Sequence, residues 1–197
     1  MRIAIIGAGF FGTTAALKLS KNHDVDLFEN KKDILNGASK VNQFRFHLGF
    51  HYPRSKKTLD EIKSSYKLFI NFFSNKVFEK TSNYYGVSNK GSKISFNSYL
   101  KILKKFNLRF KVTKYKFKNV SNLLLTDEKV LNYFKFKEIV KKKLKKSKVN
   151  LHLNTQFSKK KINDYDKIII CTYSANNRIL NYLSKVKNTK KNRYELI

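Results

Sequence analysis

Residues 3 to 30, IAIIGAGFFGTTAALKLSKNHDVDLFEN, restrict the fold more than any other stretch of the chain. Ile3 to Ile6 is a short continuous apolar run, the pattern of a parallel strand buried on both faces. Gly7, Gly9 and Gly12 follow at once, and TTAALKLSK then supplies helix formers with small residues where a helix would lie against a sheet. His23 to Phe28 gives a second short strand ending in Glu29. Strand, tight turn, helix and strand within about 30 residues make a β-α-β unit, and parallel strands joined in this way predict an α/β fold with a Rossmann-like parallel sheet.

Each glycine of the G-x-G-x-x-G has a mechanical reading. Gly7 allows the tight strand-to-helix turn, Gly9 lets the backbone approach a pyrophosphate, and Gly12 lets the helix close on the strand. The helix that starts there offers unpaired N–H groups and the positive end of its dipole to phosphates. Glu29, at the end of the second strand, is placed to accept hydrogen bonds from ribose hydroxyls, which also disfavours a ribose carrying a 2'-phosphate. Phe11, inside the triplet, and Asn30, beside the acid, complete the dinucleotide-binding set on this stretch.

The remaining pattern predicts a nucleotide-binding domain over 1–60 and 126–190, interrupted by a small α+β insert over 61–125. An irregular segment, ASKVNQFRFHLGFHYPRS, holds the only proline, Pro53. Thr58 and Glu61 stand as a capping box ahead of Leu59, Ile62, Tyr66, Phe69 and Phe73 at helical spacing. From Tyr84 to Phe117, alternating pieces such as KISF and RFKVTKYKF predict antiparallel strands around a helical SYLKILKKF. From Thr126 a helix is expected, with Phe136, Ile139, Val140 and Leu144 on one face. VNLHLN reads as a half-buried strand with His152 exposed, and Ile168 to Cys171 as a central strand of the first sheet. Residues 191–197, with RYELI, read as the beginning of another insert strand.

Charge decides little. The 43 Lys and Arg against 13 Asp and Glu give a formal net charge of +30, which favours polyanions in principle. The lysines are nevertheless spread along the chain, in a composition rich in Asn, Ile, Phe and Tyr that points to codon bias. A basic nucleic-acid-binding protein on a Rossmann-like scaffold is therefore the secondary reading, and nucleic acid is not an expected partner. The single cysteine, Cys171, excludes an intramolecular disulfide and a cysteine-based zinc site and reads as a packing residue. With no leader ahead of the first strand and no long apolar run, a cytoplasmic location without a membrane span is expected. His47 and His51 are four apart, but Gly49 and Pro53 argue against a helix there, so no metal site is expected.

GAGFFGTTAALKL, the acid at Glu29 and NGAS at Asn36 to Ser39 together resemble the FAD-dependent oxidoreductases of the D-amino-acid-oxidase-like class, which have the glutathione-reductase type of FAD/NAD(P)-binding fold. The resemblance implies FAD in preference to NAD, because NAD enzymes do not need the second Gly-Ala-Ser element. It also implies that Ser39 and Asn42 contact the flavin's phosphates or ribityl chain and that residues 43 to 51 approach the ring. ICTYSANN resembles the strand at which such chains return to the nucleotide sheet. By the same resemblance the chain is an enzyme that oxidises a small polar metabolite by hydride transfer. FRFHLGFHYPRS resembles the His-x-Gly-x-His-Tyr-Pro segment of a subgroup of such oxidoreductases. GAGFFG with Gly-x-His is also similar to UDP-galactopyranose mutase, a redox-neutral flavoenzyme, which supplies the alternative activity.

Arg45 and His51 are the substrate-binding candidates, with His51 also the one catalytic candidate. Arg54, Tyr84 and Tyr85 are weaker claims on the same pocket. Members of the class are longer than this sequence, so the chain is expected to carry the first half of an oxidoreductase, with a complementary C-terminal polypeptide as a possible partner.

Overall fold

In a computed structural model the described residues are 1–183, and the RYELI segment lies outside them. The elements run in chain order as β1 (Arg2–Ile6), α1 (Phe10–Leu19), β2 (Asp24–Phe28), β3 (Arg45–Phe46), α2 (Lys56–Phe73), β4 (Phe78–Glu79), β5 (Asn83–Ser88), α3 (Phe96–Lys105), β6 (Phe110–Val112), β7 (Val120–Thr126), β8 (Lys129–Leu131), α4 (Tyr133–Lys145), β9 (Val149–His152), β10 (Lys167–Ile170) and α5 (Asn176–Leu183). The described chain divides into two compact units, Met1–Asn42 with the described residues from Lys137 onward, and Gln43–Phe136. The second unit thus takes in 43–60 and 126–136, because β3 pairs with β8, Arg45 opposite Val130. Among the described residues no helix is long and apolar enough to cross a membrane.

The first unit is a parallel sheet in the order β10-β1-β2-β9. Ile3, Ile5, Val25 and Leu27 are almost wholly buried, as a strand covered on both faces requires. On the other face Ala4, Ile6 and Phe28 pack with Phe157 and Leu183, joined by Ile162 and Tyr165. The KIII run enters this sheet beside β1, in parallel register. It is not central, however: among the described residues β10 stands at the outside of the order, and Ile168 to Ile170 are only half-buried. A continuous apolar run records a demand for burial and carries no information on rank in the sheet. His152 is likewise not a free surface residue. Its ring stacks on Phe28 with centroids 4.6 Å apart, and Nε2 lies 2.9 Å from Oδ1 of the buried Asp26. Arg2 donates to the same carboxylate at 3.3 Å. Burial pushes the Asp26 pKa up, but hydrogen bonds from His152, Tyr165 and Asn150 outweigh it and hold the group below its ordinary value.

The second unit has two small antiparallel sheets, β3-β8-β4 and β5-β7-β6. Phe46, Phe69 and Phe78 form an aromatic cluster, with Phe46 centroids 4.8 Å and 4.7 Å from the other two. Beneath the second sheet Phe50, Val87, Tyr99, Leu103 and Leu124 form a separate core. Helix α2 begins two residues before Thr58: Ser55 is its cap, accepting from the Thr58 N–H at 3.3 Å, so the T-x-x-E pair lies inside the helix. KISF is not a strand, because Ser95 caps α3 and accepts from the Ser98 N–H at 3.2 Å. Only Phe110–Val112 of the RFKVTKYKF alternation is a strand. The helix expected from Thr126 starts at Tyr133, because β7 runs up to Thr126 and β8, which joins the other small sheet, occupies Lys129–Leu131 first.

Candidate functional site

The turn from β1 into α1 is built from backbone. Gly7 has φ +100°, and a Cβ there would sit 2.6 Å from the Cys171 carbonyl oxygen. A Cβ at Gly12 would sit 1.8 Å from the Gly7 carbonyl oxygen, an impossible approach. These two glycines are required by the fold itself. Gly9 differs. Its φ of −73° suits any residue, and the nearest atom to a Cβ there is Ser39 Oγ at 3.4 Å, an ordinary contact. Among the described residues no other atom, its two chain neighbours aside, is within 4 Å of that Cβ position.

That space faces the start of α1. Gly9 is the N-cap and brings no side-chain acceptor, and the first turn holds no acidic residue. Ser39 Oγ accepts from the Phe10 N–H at 3.0 Å. Among the described residues the N–H groups of Phe11 and Gly12 have no acceptor. A helix start with open donors and no fixed anion suits a phosphate group. Glu29 follows β2, and its carboxylate accepts from the N–H groups of Ala8 at 2.8 Å and Lys31 at 3.0 Å. Each oxygen has a second acceptor direction left for a hydroxyl. Phe11 is 76% exposed, Asn30 and Asn42 are exposed, and Asn42 donates to the Ser39 carbonyl at 3.4 Å. Gly7, Gly9, Phe11, Gly12, Glu29 and Ser39 are therefore gathered at one turn, and Asn42 adjoins Ser39. The open N–H groups and the Glu29 carboxylate have the chemistry that the pyrophosphate and ribose of an adenine dinucleotide require.

Arg45 and His51 lie in the second unit, on a segment held from below. Glu128, which sequence reasoning missed, is 1% exposed and accepts from the Leu48 N–H at 2.8 Å, Tyr85 Oη–H at 2.6 Å and Arg45 at 3.4 Å. Arg45 also rests on the Tyr85 ring, 4.8 Å from its centroid. His47 Nδ1 is 3.8 Å from Glu128 Oε1, a single carboxylate. Burial lowers the His47 pKa, with Glu128 opposing it. Burial and the bond to Glu128 push the Tyr85 phenol well above its ordinary value, so it stays a donor at neutral pH. His51 is exposed, its ring 6.1 Å from that of His47 and 5.3 Å from that of Tyr52. Phe50 is buried, and its carbonyl accepts from Tyr99 Oη–H at 2.8 Å. Tyr84 and Arg54 are exposed. No pattern near residue 128 distinguishes it from Asp127; only the strand pairing brings it under Arg45.

Comparisons with known proteins agree with the turn. The FAD-dependent monooxygenase kojA of Aspergillus flavus is 46% identical over 66 residues, 33% of this chain and 15% of that protein. The FAD-dependent monooxygenase FPY4 of Fusarium mangiferae is 32% identical over 109 residues, 55% of this chain and 30% of that one. Among solved structures, glycine oxidase from Geobacillus kaustophilus superposes with a TM-score of 0.63 at 11% identity, covering 79% of this chain and 47% of that one. That likeness shows a shared fold. The chain thus spans about half the length of this solved relative and under a third of the two curated ones. The family model of the FAD dependent oxidoreductases, DAO, matches residues 2–102, just over half of the sequence, and the chain belongs to that family.

Proposed function

We propose that this chain holds the adenosine-diphosphate half of FAD on its first unit and serves the oxidation of a small polar metabolite at a carbon bearing nitrogen or oxygen. The observation that carries the reading is Gly9: it is the one glycine of the triplet that the protein's own packing does not demand, and the space it leaves faces open helix N–H groups. A ligand gives it a reason.

The roles follow from the atoms. The N–H groups of Phe11 and Gly12 donate to the pyrophosphate, and Ser39, whose oxygen is engaged by Phe10, keeps its own O–H to donate to a phosphate. Glu29 accepts from the ribose hydroxyls, with Asn30 beside it, and Asn42 lies along the path of the ribityl chain. When bound, FAD supplies a two-electron acceptor for hydride, and the protein's share is binding, orientation and exclusion of water. Arg45, held by Glu128 and Tyr85, binds an anionic or polar group of the substrate, and exposed His51 is the candidate to take up the proton released as the substrate is oxidised.

The relatives named as monooxygenases and the fold shared with an oxidase meet only at FAD-dependent oxidation, and the reading stands at that level. A redox-neutral rearrangement has no such support. The solved relative is about twice as long as the part matched here, and in this reading turnover needs the rest of that fold, on the same or on a second polypeptide. The test is the visible absorption spectrum of purified protein mixed with FAD and then freed of excess. Flavin bands that stay with the protein, and are lost in a folded Gly9→Ala variant, support the reading; a colourless wild-type protein overturns it.

A further inference from the structure

Acidic residues are distributed along this chain far less evenly than lysines. Residues 80–126 hold eleven Lys and Arg and no Asp or Glu, while all 13 acids lie in the rest of the sequence under the same compositional bias. This stretch contributes β5, α3, β6 and β7, the second small sheet of the second unit with the helix packed against it. All eleven cationic side chains are exposed, and among the described residues none of them makes an ion pair. Like charges gathered on one lobe repel one another, and no acid within the lobe offsets that repulsion. An anionic partner would.

The charge is accompanied by apolar surface. From Lys111 to Lys118 the sequence KVTKYKFK interleaves lysines with Val112, Tyr115 and Phe117, which are 47%, 61% and 62% exposed. The Tyr115 ring meets that of Tyr84, also exposed, edge to face with centroids 5.9 Å apart, and Lys116 donates to Asn122 Oδ1 at 3.3 Å. The Val120 N–H donates to the Phe117 carbonyl at 3.3 Å and the Asn89 N–H to the Asn119 carbonyl at 2.9 Å, so Lys90, beside Asn89, stands at the same end of the sheet. Lysines set among exposed aromatic and aliphatic side chains match a surface with anionic groups outside and hydrocarbon beneath. A nucleic acid would answer the charges but leave Val112 and Phe117 without an apolar medium. The edge-to-face contact of Tyr84 and Tyr115 is also not the open platform on which bases stack.

We propose that the lobe formed by residues 80–126 docks on the surface of an anionic lipid bilayer, its lysines on the headgroups and Tyr115 and Phe117 entering the boundary beneath them. The attachment is peripheral and reversible, and it is independent of the FAD reading above.

The experiment sediments the full chain at physiological salt with vesicles of phosphatidylcholine alone and of phosphatidylcholine with about one-third phosphatidylserine. Wild type is expected to bind the second and not the first. The combined Lys111→Gln, Lys114→Gln and Lys118→Gln variant should bind about tenfold more weakly, and the combined Tyr115→Ser and Phe117→Ser variant about threefold more weakly, each with an unchanged thermal midpoint. Lys114→Gln alone and Phe117→Ser alone repeat the test if a combined variant loses stability. Lys142→Gln, Lys145→Gln and Lys146→Gln together remove the same charge from α4 and should leave binding within about twofold of wild type. An equal loss in the α4 variant overturns the proposal, because net charge alone would then be at work. Binding that the aromatic variant leaves unchanged, or tighter binding to single-stranded oligodeoxythymidine than to the anionic vesicles, overturns it as well. A wild-type chain that does not bind the anionic vesicles overturns it outright, and the FAD reading stands or falls separately on its own spectrum.

Discussion

The glycine turn of the first unit and the Arg45–Tyr52 segment of the second are built on opposite plans. The turn is made of backbone: two glycines permit an approach that no side chain would allow, and the polar groups on offer are N–H groups at a helix start. The Arg45–Tyr52 segment is made of side chains gathered on one buried carboxylate, Glu128, which collects an N–H, a phenol and a guanidinium. A backbone site fails when an atom is added. A carboxylate clamp fails when one is taken away, since its partners are then left buried and unpaired.

Substitutions can break this contrast. Glu128→Ala should cost most, about 3–5 kcal/mol of unfolding free energy, read from denaturant midpoints; a cost of a few tenths would mean that the clamp is dispensable. Gly12→Ala should follow at about 3 kcal/mol, because its Cβ would overlap the Gly7 carbonyl; near-wild-type stability would show that the turn yields. Ser39→Ala, which removes the acceptor for the Phe10 N–H, should cost about 1 kcal/mol. Gly9→Ala sharpens the comparison within the triplet. Its stability should stay within about 0.5 kcal/mol of wild type while ADP affinity falls, and equal affinity in calorimetric titration would remove the case for a ligand at that position.

The smallest effect concerns Asp26, the buried carboxylate of the first unit. Its folded pKa lies below the ordinary 3.8, so its contribution to stability is present above that value and is lost as the pH falls through the folded pKa. Urea midpoints taken from about pH 5 down to about pH 3 should therefore drop less in Asp26→Asn than in wild type. Parallel slopes would show that its bonds to His152 and Arg2 do not favour the charged form.

What could be read from sequence follows the same division. Gly7, Gly9, Gly12 and Glu29 act within one β-α-β unit, so their spacing reports their geometry, and Ser39 was reached through the motif it shares with a family. Glu128 meets Leu48 and Arg45 across 80 and 83 positions, inside a polar TDEK run that reads as an ordinary turn. β10 was recognised as a strand of the sheet, but its place at the outside depends on what pairs beside it, which its own residues do not encode. KISF and the T-x-x-E pair show the limit of local rules. Ser55 takes the start of α2 ahead of Thr58, and Ser95 starts α3 where the alternation of KISF alone reads as a strand.

The distant cap on α1 has a consequence for the order in which this region assembles. Ser39 stands 29 positions after the Phe10 N–H that it accepts. Helix α1 can therefore form its later turns early, but its first turn is completed only when β2 has paired and the loop beyond it has closed. In the native state the Phe10 amide should exchange its hydrogen whenever that loop opens, well before the sheet itself gives way. The nucleotide turn should then open more readily than the sheet it rests on, and a bound phosphate, by holding both Ser39 and the helix start, would lengthen the life of its closed form.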